Sequence, residues 1–144
     1  MTHVVFFGAY VYFLCTDIKR KQIDLVALAI YAVAALITVG MSRDNITMAR
    51  FMDLLFSIAF GLIIFLISYF SGEGIGLADG LYFAINGLLL SLRENIILFL
   101  SGLLVAFILG IVMFFFGNNR SKNARLPFMP CLLPAIIGYI LCIV

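Results

Sequence analysis

An uncharged apolar segment runs from Ile96 to Gly117 and constrains the fold more than any other feature of the sequence. A helix rises about 1.5 Å per residue and the hydrocarbon core of a bilayer is about 30 Å thick, so about 20 apolar residues span it. Of the 144 residues, 65% are hydrophobic and 11% are charged, and the mean hydropathy is +1.24. Because about 25% of the residues of a soluble domain are charged, this composition predicts a surface in contact with lipid.

Further apolar segments predict an all-α, polytopic membrane protein with about six transmembrane helices. No segment between them is long enough to form a soluble core, so residues 1–144 are expected to form a single transmembrane domain. The first and fourth spans are long enough only if Asp17 and Asp79, near one end of each, lie at or just inside the membrane boundary. The predicted spans cover residues 3–17, 25–41, 51–70, 75–92, 96–117 and 126–144.

Basic residues are distributed unevenly between the predicted loops, and this asymmetry predicts the orientation in the membrane. Lys and Arg collect in cytoplasmic loops. Six of the nine lie in the loops after the first and fifth spans, and three lie in those after the second and fourth. We therefore expect a multi-pass protein of the cytoplasmic membrane with both termini outside. The loop at 71–78 then also faces the cytoplasm, and Asp17 and Asp79 lie at matching depth on that side.

The remaining composition argues against several classes of partner. A net charge of +2 is too small to indicate nucleic acid as a partner, and membrane lipid is expected instead. His3 is the only histidine, and Cys15, Cys131 and Cys142 form no C-x-x-C pair, so the cysteines are interpreted as small apolar residues in helices. A zinc site needs about four ligands, so neither a metal nor another cofactor is expected.

Asp17 and Asp79 are the most informative residues, because an ionisable side chain within a membrane span costs about 2.5–3.5 kcal/mol at a helix centre. Two carboxyl groups at one site can share a single proton, since two negative charges at short distance repel each other. One group then activates water as a base, and the other protonates the leaving group. Small residues around Asp79 would let the backbone of a substrate come close. They are Gly74, Gly76, Ala78 and Gly80.

Three segments together resemble a known family. Asp17 is followed by a basic run and, six positions later, by Ile23; Asp79 ends the run Gly74-Ile75-Gly76-Leu77-Ala78-Asp79; and the last span opens with Leu126-Pro127-Phe128-Met129-Pro130. In this order and spacing, nearly the whole chain resembles the type IV prepilin peptidases and the related archaeal preflagellin peptidases. These enzymes are intramembrane aspartyl proteases of the GxGD type.

The resemblance implies an aspartic-type endopeptidase in which Asp17 and Asp79 form the catalytic pair. The implied substrate is a prepilin or pseudopilin of a type IV pilus or protein secretion system, whose short basic leader is cut off at the cytoplasmic membrane face. The glycine-rich run would support the substrate. Glu73 is interpreted as a topology or loop residue, and binding of the basic leader is its alternative role. No segment corresponds to the cysteine-rich insertion of larger bacterial relatives, so a minimal peptidase without N-methyltransferase activity is expected.

The chain departs from the family pattern at three positions. Asp24 stands where the family commonly has proline after the isoleucine, and Leu81 stands where it often has lysine. Ala78 replaces the glycine that precedes the second aspartate, which is a mild change. These departures indicate a divergent member and leave open whether they alter activity.

Structural roles are the alternative for each acid. Asp17 could cap a helix or pair with Lys21, and Asp79 could be the N-cap of the fourth span, a position that favours aspartate. Asp53 is interpreted as an acid in the first turn of the third span, where the helix dipole favours it.

Other polar side chains within the spans are assigned packing roles. Tyr69 and Tyr82 are typical of an interfacial aromatic belt. Tyr82 also lies one turn beyond Asp79, so a hydrogen bond near the acid pair is the second interpretation. Asn86 is expected to form a hydrogen bond across helices and is assigned no catalytic role.

A function from another class also fits the acids. A small proton- or cation-coupled transporter, or a membrane assembly factor, can use paired intramembrane aspartates in glycine-interrupted segments. Such a transporter often contains an internal repeat, and residues 1–70 and 71–144 show no convincing one. The oligomeric state stays open.

Overall fold

A computed structural model describes residues 2–20, 24–41, 47–71, 76–116 and 128–143 of the chain. All regular elements within these ranges are helical and none is a strand, which confirms the all-α fold class for this part of the chain. A 3-10 turn, Met129–Leu132, leads directly into the last helix. The helices are α1 (Thr2–Arg20), α2 (Leu25–Met41), α3 (Met48–Ser71), α4 (Leu77–Leu89), α5 (Leu92–Phe116) and α6 (Leu133–Ile143).

Within the described ranges, two helices are long and apolar enough, by length and composition, to cross a membrane. They are Met48–Phe70 of α3, with a mean hydropathy of 2.4, and Leu92–Phe115 of α5, with 3.0. Only 22% and 11% of their most apolar stretches are buried, so most of this apolar surface points outward. Core helices of soluble proteins bury such surface. The other apolar helices are shorter, and six membrane crossings stay a prediction.

The boundary between the fourth and fifth helices differs from the predicted one. Residues 75–92 were expected to form one span, but α4 ends at Leu89 and α5 begins at Leu92. A capping box causes the early start of α5. The Ser91 backbone N–H donates to Glu94 Oε2 at 2.8 Å, and the Glu94 N–H donates to Ser91 Oγ at 3.4 Å. Arg93 therefore lies in the first turn of α5 rather than in a loop.

Asp24 shows a similar local role at the start of α2. Its Oδ1 accepts a hydrogen bond from the Val26 N–H at 3.1 Å, and its carbonyl accepts the first helical bond from Leu28. This is the geometry of an N-cap, which aspartate favours. Asp24 therefore starts a helix.

Helices α3 and α4 pack antiparallel with their backbones in direct contact. A Cβ atom added to Gly80 would lie 2.5 Å from Phe65 Cα, and one added to Gly87 would lie 2.6 Å from the Ile58 nitrogen. Only residues without side chains fit at these points, as is common where helices pack closely in membranes. Because Gly80 follows Asp79, this contact also fixes the position of that acid.

An aromatic core fills the space between α1, α2 and α4. Along α1, Phe6, Tyr10 and Phe13 recur at helical spacing and are buried. The Phe13 ring lies 5.6 Å from that of Tyr82, which also stacks on Tyr31 at 5.9 Å. Tyr82 is 0% exposed. The prediction that it belongs to an interfacial belt is therefore wrong, because its face of α4 is the one that packs against α1 and α2.

The glycine contact predicts the effect of one substitution. Gly87→Ala should lower the melting temperature of the purified protein in detergent, because the added methyl group must push two backbones apart, at a cost of about 1–3 kcal/mol. Gly110→Ala is the matched control, since a Cβ there meets nothing within 4 Å. Alanine favours helices over glycine by up to about 1 kcal/mol, so Gly110→Ala should melt at the wild-type temperature or above it. A Gly87→Ala protein that melts no lower than wild type would contradict the packing.

Candidate active site

Two buried aspartates lie at the same end of the helix bundle. Asp17 is 6% exposed and Asp79 is 8% exposed. Asp17 lies three residues before the end of α1, and Asp79 lies in the first turn of α4. Their carboxyl groups are close enough to interact electrostatically. The structure therefore brings together the two acids that the sequence proposed as a pair.

Asp17 accepts a hydrogen bond from a different helical element. The Met129 backbone N–H, at the start of the 3-10 turn, donates to Asp17 Oδ2 at 2.9 Å. The first N–H groups of a helix have no partner within it, and here a carboxylate from α1 supplies one. The interpretation that Asp17 caps a helix is therefore confirmed, but the helix it caps is the 3-10 turn and not α1. Lys21, its proposed ion-pair partner, lies outside the described residues.

Tyr10 binds the other backbone group of Met129, its carbonyl oxygen. Its hydroxyl donates to the Met129 carbonyl oxygen at 3.1 Å, and both residues are buried. Tyr10 and Asp17 are separated by two helical turns and therefore share one face of α1. Two side chains from α1 thus pair both backbone groups of Met129. Sequence reasoning missed this role of Tyr10, since nothing local links it to Met129.

Asp79 is held by the start of α4. Gly76, rather than Asp79, is the N-cap, so the predicted N-cap role of Asp79 is wrong. The Asp79 N–H donates to the Gly76 carbonyl oxygen at 3.0 Å. A Cβ on Gly76 would lie 2.8 Å from Asp79 Oδ2, so the absence of a side chain there keeps that side of the carboxylate open. The helix dipole also favours an anion in this turn.

The remaining predicted site residues take different places. Gly80 packs against α3, and Ala78 and Leu81 pack against the hydrophobic core. Gly74 and Glu73 lie outside the described residues.

Cys131 is a neighbour that sequence reasoning did not assign to the site. It is buried in the 3-10 turn, and its thiol interacts electrostatically with Asp17 and Asp79. The sequence contained no signal for this, because the contact of Asp17 with Met129 has no local signature either. Among the residues placed by the structure, no three His, Cys, Asp or Glu side chains are close enough to bind a metal ion.

A third aspartate, Asp53, caps a neighbouring helix at the opposite end of the bundle. Asp53 Oδ1 accepts a hydrogen bond from the Leu92 N–H at 3.2 Å, so α3 caps α5 as α1 caps the 3-10 turn. Asp53 lies beyond the first turn of α3, and its interpretation as a first-turn acid is wrong. The cross-helix bond expected of Asn86 is confirmed, since the Tyr31 hydroxyl donates to Asn86 Oδ1 at 2.6 Å.

Comparison with known proteins finds no relative of this chain. The chain matches no protein-family model, no curated protein and no solved structure. The chemistry of the site is therefore argued from its own residues. Two adjacent carboxyl groups in an apolar surrounding can share a proton, activate a water molecule or bind a cation.

The double contact at Met129 predicts a measurable effect of Tyr10→Phe. Loss of the hydroxyl removes a buried hydrogen bond to the Met129 carbonyl oxygen, which costs about 0.5–1.5 kcal/mol, and should lower the melting temperature. Tyr12→Phe is the control, because Tyr12 is 50% exposed. In a background with Cys15 and Cys142 replaced by serine, Tyr10→Phe should also speed maleimide labelling of the buried Cys131. Equal melting temperatures and equal labelling rates in the two variants would show that the contact does not hold the turn.

Proposed function

We propose that this chain is an intramembrane aspartyl endopeptidase that removes the short basic leader of a prepilin-like substrate at the cytoplasmic membrane face. The observation that carries the proposal is the meeting of two buried aspartates, Asp17 and Asp79, from separate helices at one end of the bundle. The resemblance of both sequence motifs to the prepilin peptidases supports the substrate class.

In this proposal all six helices cross the membrane. The outward apolar surfaces of α3 and α5 support such an environment. Helix α4 has only 13 residues, or about 20 Å, which is less than the hydrocarbon thickness. Its start, with Asp79, then lies below the membrane surface. Non-helical backbone at that depth is tolerated where it is buried in protein or lines a water-filled cavity, and peptide hydrolysis needs water there.

The two acids divide the reaction between them. With one shared proton, the ionised carboxylate takes a proton from water as the water oxygen bonds to the scissile carbonyl carbon. The protonated carboxyl group gives its proton to the peptide nitrogen as the carbon–nitrogen bond breaks. The products are a carboxylic acid and an amine, and neither a covalent intermediate nor a metal is needed.

The contacts of Asp17 and Asp79 support one role for each acid, activation of water or protonation of the peptide nitrogen. The Met129 N–H fixes Asp17 through Oδ2 and leaves Oδ1 as the oxygen assigned to water. Gly76 gives an extended peptide access to Asp79, because no side chain stands between them. A helical substrate hides its carbonyl groups, so the bond to be cut must be unwound at this point.

A proton-coupled transporter or a membrane assembly factor is the second candidate, and one observation favours transport. Among the described residues, three buried polar atoms lack a hydrogen bond of good geometry: Tyr82 Oη, Asn86 Nδ2 and Asn95 Oδ1. Buried unpaired polar groups commonly bind internal water. Water along α4 could carry protons from Asp79 toward the opposite end.

Substitution of the acids separates the two functions. Asp17→Asn and Asp79→Asn should each reduce cleavage of a co-expressed prepilin by at least about 100-fold, because each removes a proton donor or acceptor of the reaction. Asp53→Asn is the matched control, since Asp53 is also a carboxylate that accepts a backbone N–H from another helix. It should cleave at the wild-type rate, and all three variants should insert and remain folded. Wild-type cleavage by either Asp17→Asn or Asp79→Asn rules out these two acids as the catalytic pair, and a wild-type protein that does not cleave the prepilin contradicts the protease assignment.

The predicted topology is tested by labelling from each side of the membrane. In a cysteine-free background, Lys122→Cys should react with a membrane-impermeant maleimide only after the cytoplasmic side is opened. Asn45→Cys should react in intact cells, since the loop after the second span is expected outside. The opposite labelling pattern would show that the orientation in the membrane is the reverse of the predicted one. Asp17 and Asp79 would then lie on the outer side, away from a basic leader in the cytoplasm.

A further inference from the structure

A groove of about 330 Å³ lies between α1 and α2 on the surface of the bundle. Three alanines, Ala9, Ala27 and Ala34, keep it open, and Phe13 and Tyr31 line its inner part. Ala27 and Ala34 are two helical turns apart, so the groove is about 10 Å long on α2. A helix with its side chains is about 10 Å across and does not fit in this space, whereas part of a narrow acyl chain does.

Both helices also expose apolar side chains outside the groove. In the proposed topology α1 and α2 cross the membrane, so this surface and the groove face lipid. The inference below rests on that crossing and not on proteolysis, and it holds for either candidate function. The exposed side chains are Val4 and Val11 on α1 and Val26 and Val33 on α2.

The face of α1 that lines the groove leads to a positive charge. Val5, Ala9 and Tyr12 line the groove at helical spacings of four and three residues. The same spacing continues through Thr16 to Lys19, so Lys19 shares their face. Lys19 is exposed and lies seven residues, or about 10 Å, beyond Tyr12. It stands at the predicted cytoplasmic boundary of the membrane.

Thr16 places no unpaired polar group between the groove and Lys19. Its hydroxyl lies 3.2 Å from the Tyr12 carbonyl oxygen and 3.0 Å from that of Phe13. The hydroxyl is therefore paired within its own helix and needs no partner from a neighbouring molecule. An apolar chain can run along this face from the groove toward Lys19.

The two acids nearest to Lys19 in the sequence bind backbone groups. Asp17 accepts a hydrogen bond from the Met129 N–H, and Asp24 accepts one from the Val26 N–H. Both carboxylates are thus committed to the starts of helical elements. The ammonium group of Lys19 is left to attract an anion at the membrane surface.

We propose that the groove holds one acyl chain of a phospholipid whose anionic head group is bound by Lys19. Basic residues at the cytoplasmic ends of membrane helices attract anionic lipid head groups. A zwitterionic lipid offers the same chain without the net charge. A free phosphate ion would not use the groove, because only a lipid carries an apolar chain and an anionic group in one molecule.

Lipid binding to the purified protein tests the proposal. Native mass spectrometry should show that phosphatidylglycerol binds about fivefold more tightly than phosphatidylcholine, because one lysine near an anionic head group contributes about that factor. Lys19→Gln should abolish this preference. Lys122→Gln makes the same charge change in the other basic loop and should keep it.

Filling the groove is the second part of the test. Ala27→Leu should weaken binding of phosphatidylglycerol by about tenfold or more, because the acyl chain loses its apolar contact. Ala29→Leu is the matched control and should bind as wild type does, since Ala29 is exposed on α2 and does not line the groove.

Four results would overturn the lipid site. They are equal binding of the two lipids by the wild-type protein, an unchanged preference in Lys19→Gln, a lost preference in Lys122→Gln, and equal binding by the two leucine variants. None of these measurements involves cleavage. The protease assignment is therefore decided separately, by the prepilin assay with Asp17→Asn and Asp79→Asn.

Discussion

The backbone N–H of Met129 joins the first helix to the start of the last one, and the candidate site depends on this contact. Asp17 accepts the hydrogen bond at 2.9 Å, while Tyr10 donates to the carbonyl oxygen of the same residue. A helix start inside an apolar surrounding must find partners for its free N–H groups, since leaving one unpaired is costly. The contact that lets the 3-10 turn begin inside the protein therefore also fixes one of the two acids.

The second acid is held by a different kind of interaction. Asp79 stands beside Gly80, where the backbones of α3 and α4 touch, and its own N–H is bonded to Gly76. One carboxyl group is thus fixed by hydrogen bonds across helices and the other by close backbone packing. The two means of support are independent, so a change in the packing of α4 alters the distance between the acids without breaking the hydrogen bond at Met129.

Sequence patterns predicted the helices well and the tertiary contacts poorly. Helix α2 has the predicted bounds, because Asp24 and the apolar run after it mark its start. The end of α4 was missed because apolar residues continue through Leu90, although the Ser91 and Glu94 pair was a readable capping box. Sequence could propose that the two aspartates pair, but not that Asp17 bonds Met129, because a cap supplied by another helix has no local signal. Tyr82 was misplaced because tyrosine suits a membrane interface and an aromatic core equally.

The short α4 beside the long α3 gives the site a defined depth. Gly80 lies opposite Phe65, and α3 continues for six further residues to Ser71, a rise of about 9 Å. The end of α3 therefore extends about two helical turns beyond the level of Gly80, which adjoins Asp79. An extended polypeptide advances about 3.3 Å per residue, so about three residues would cover this distance. In the proposed protease, the length of α3 beyond Gly80 would thus set how many residues of a bound chain lie between the end of α3 and Asp79.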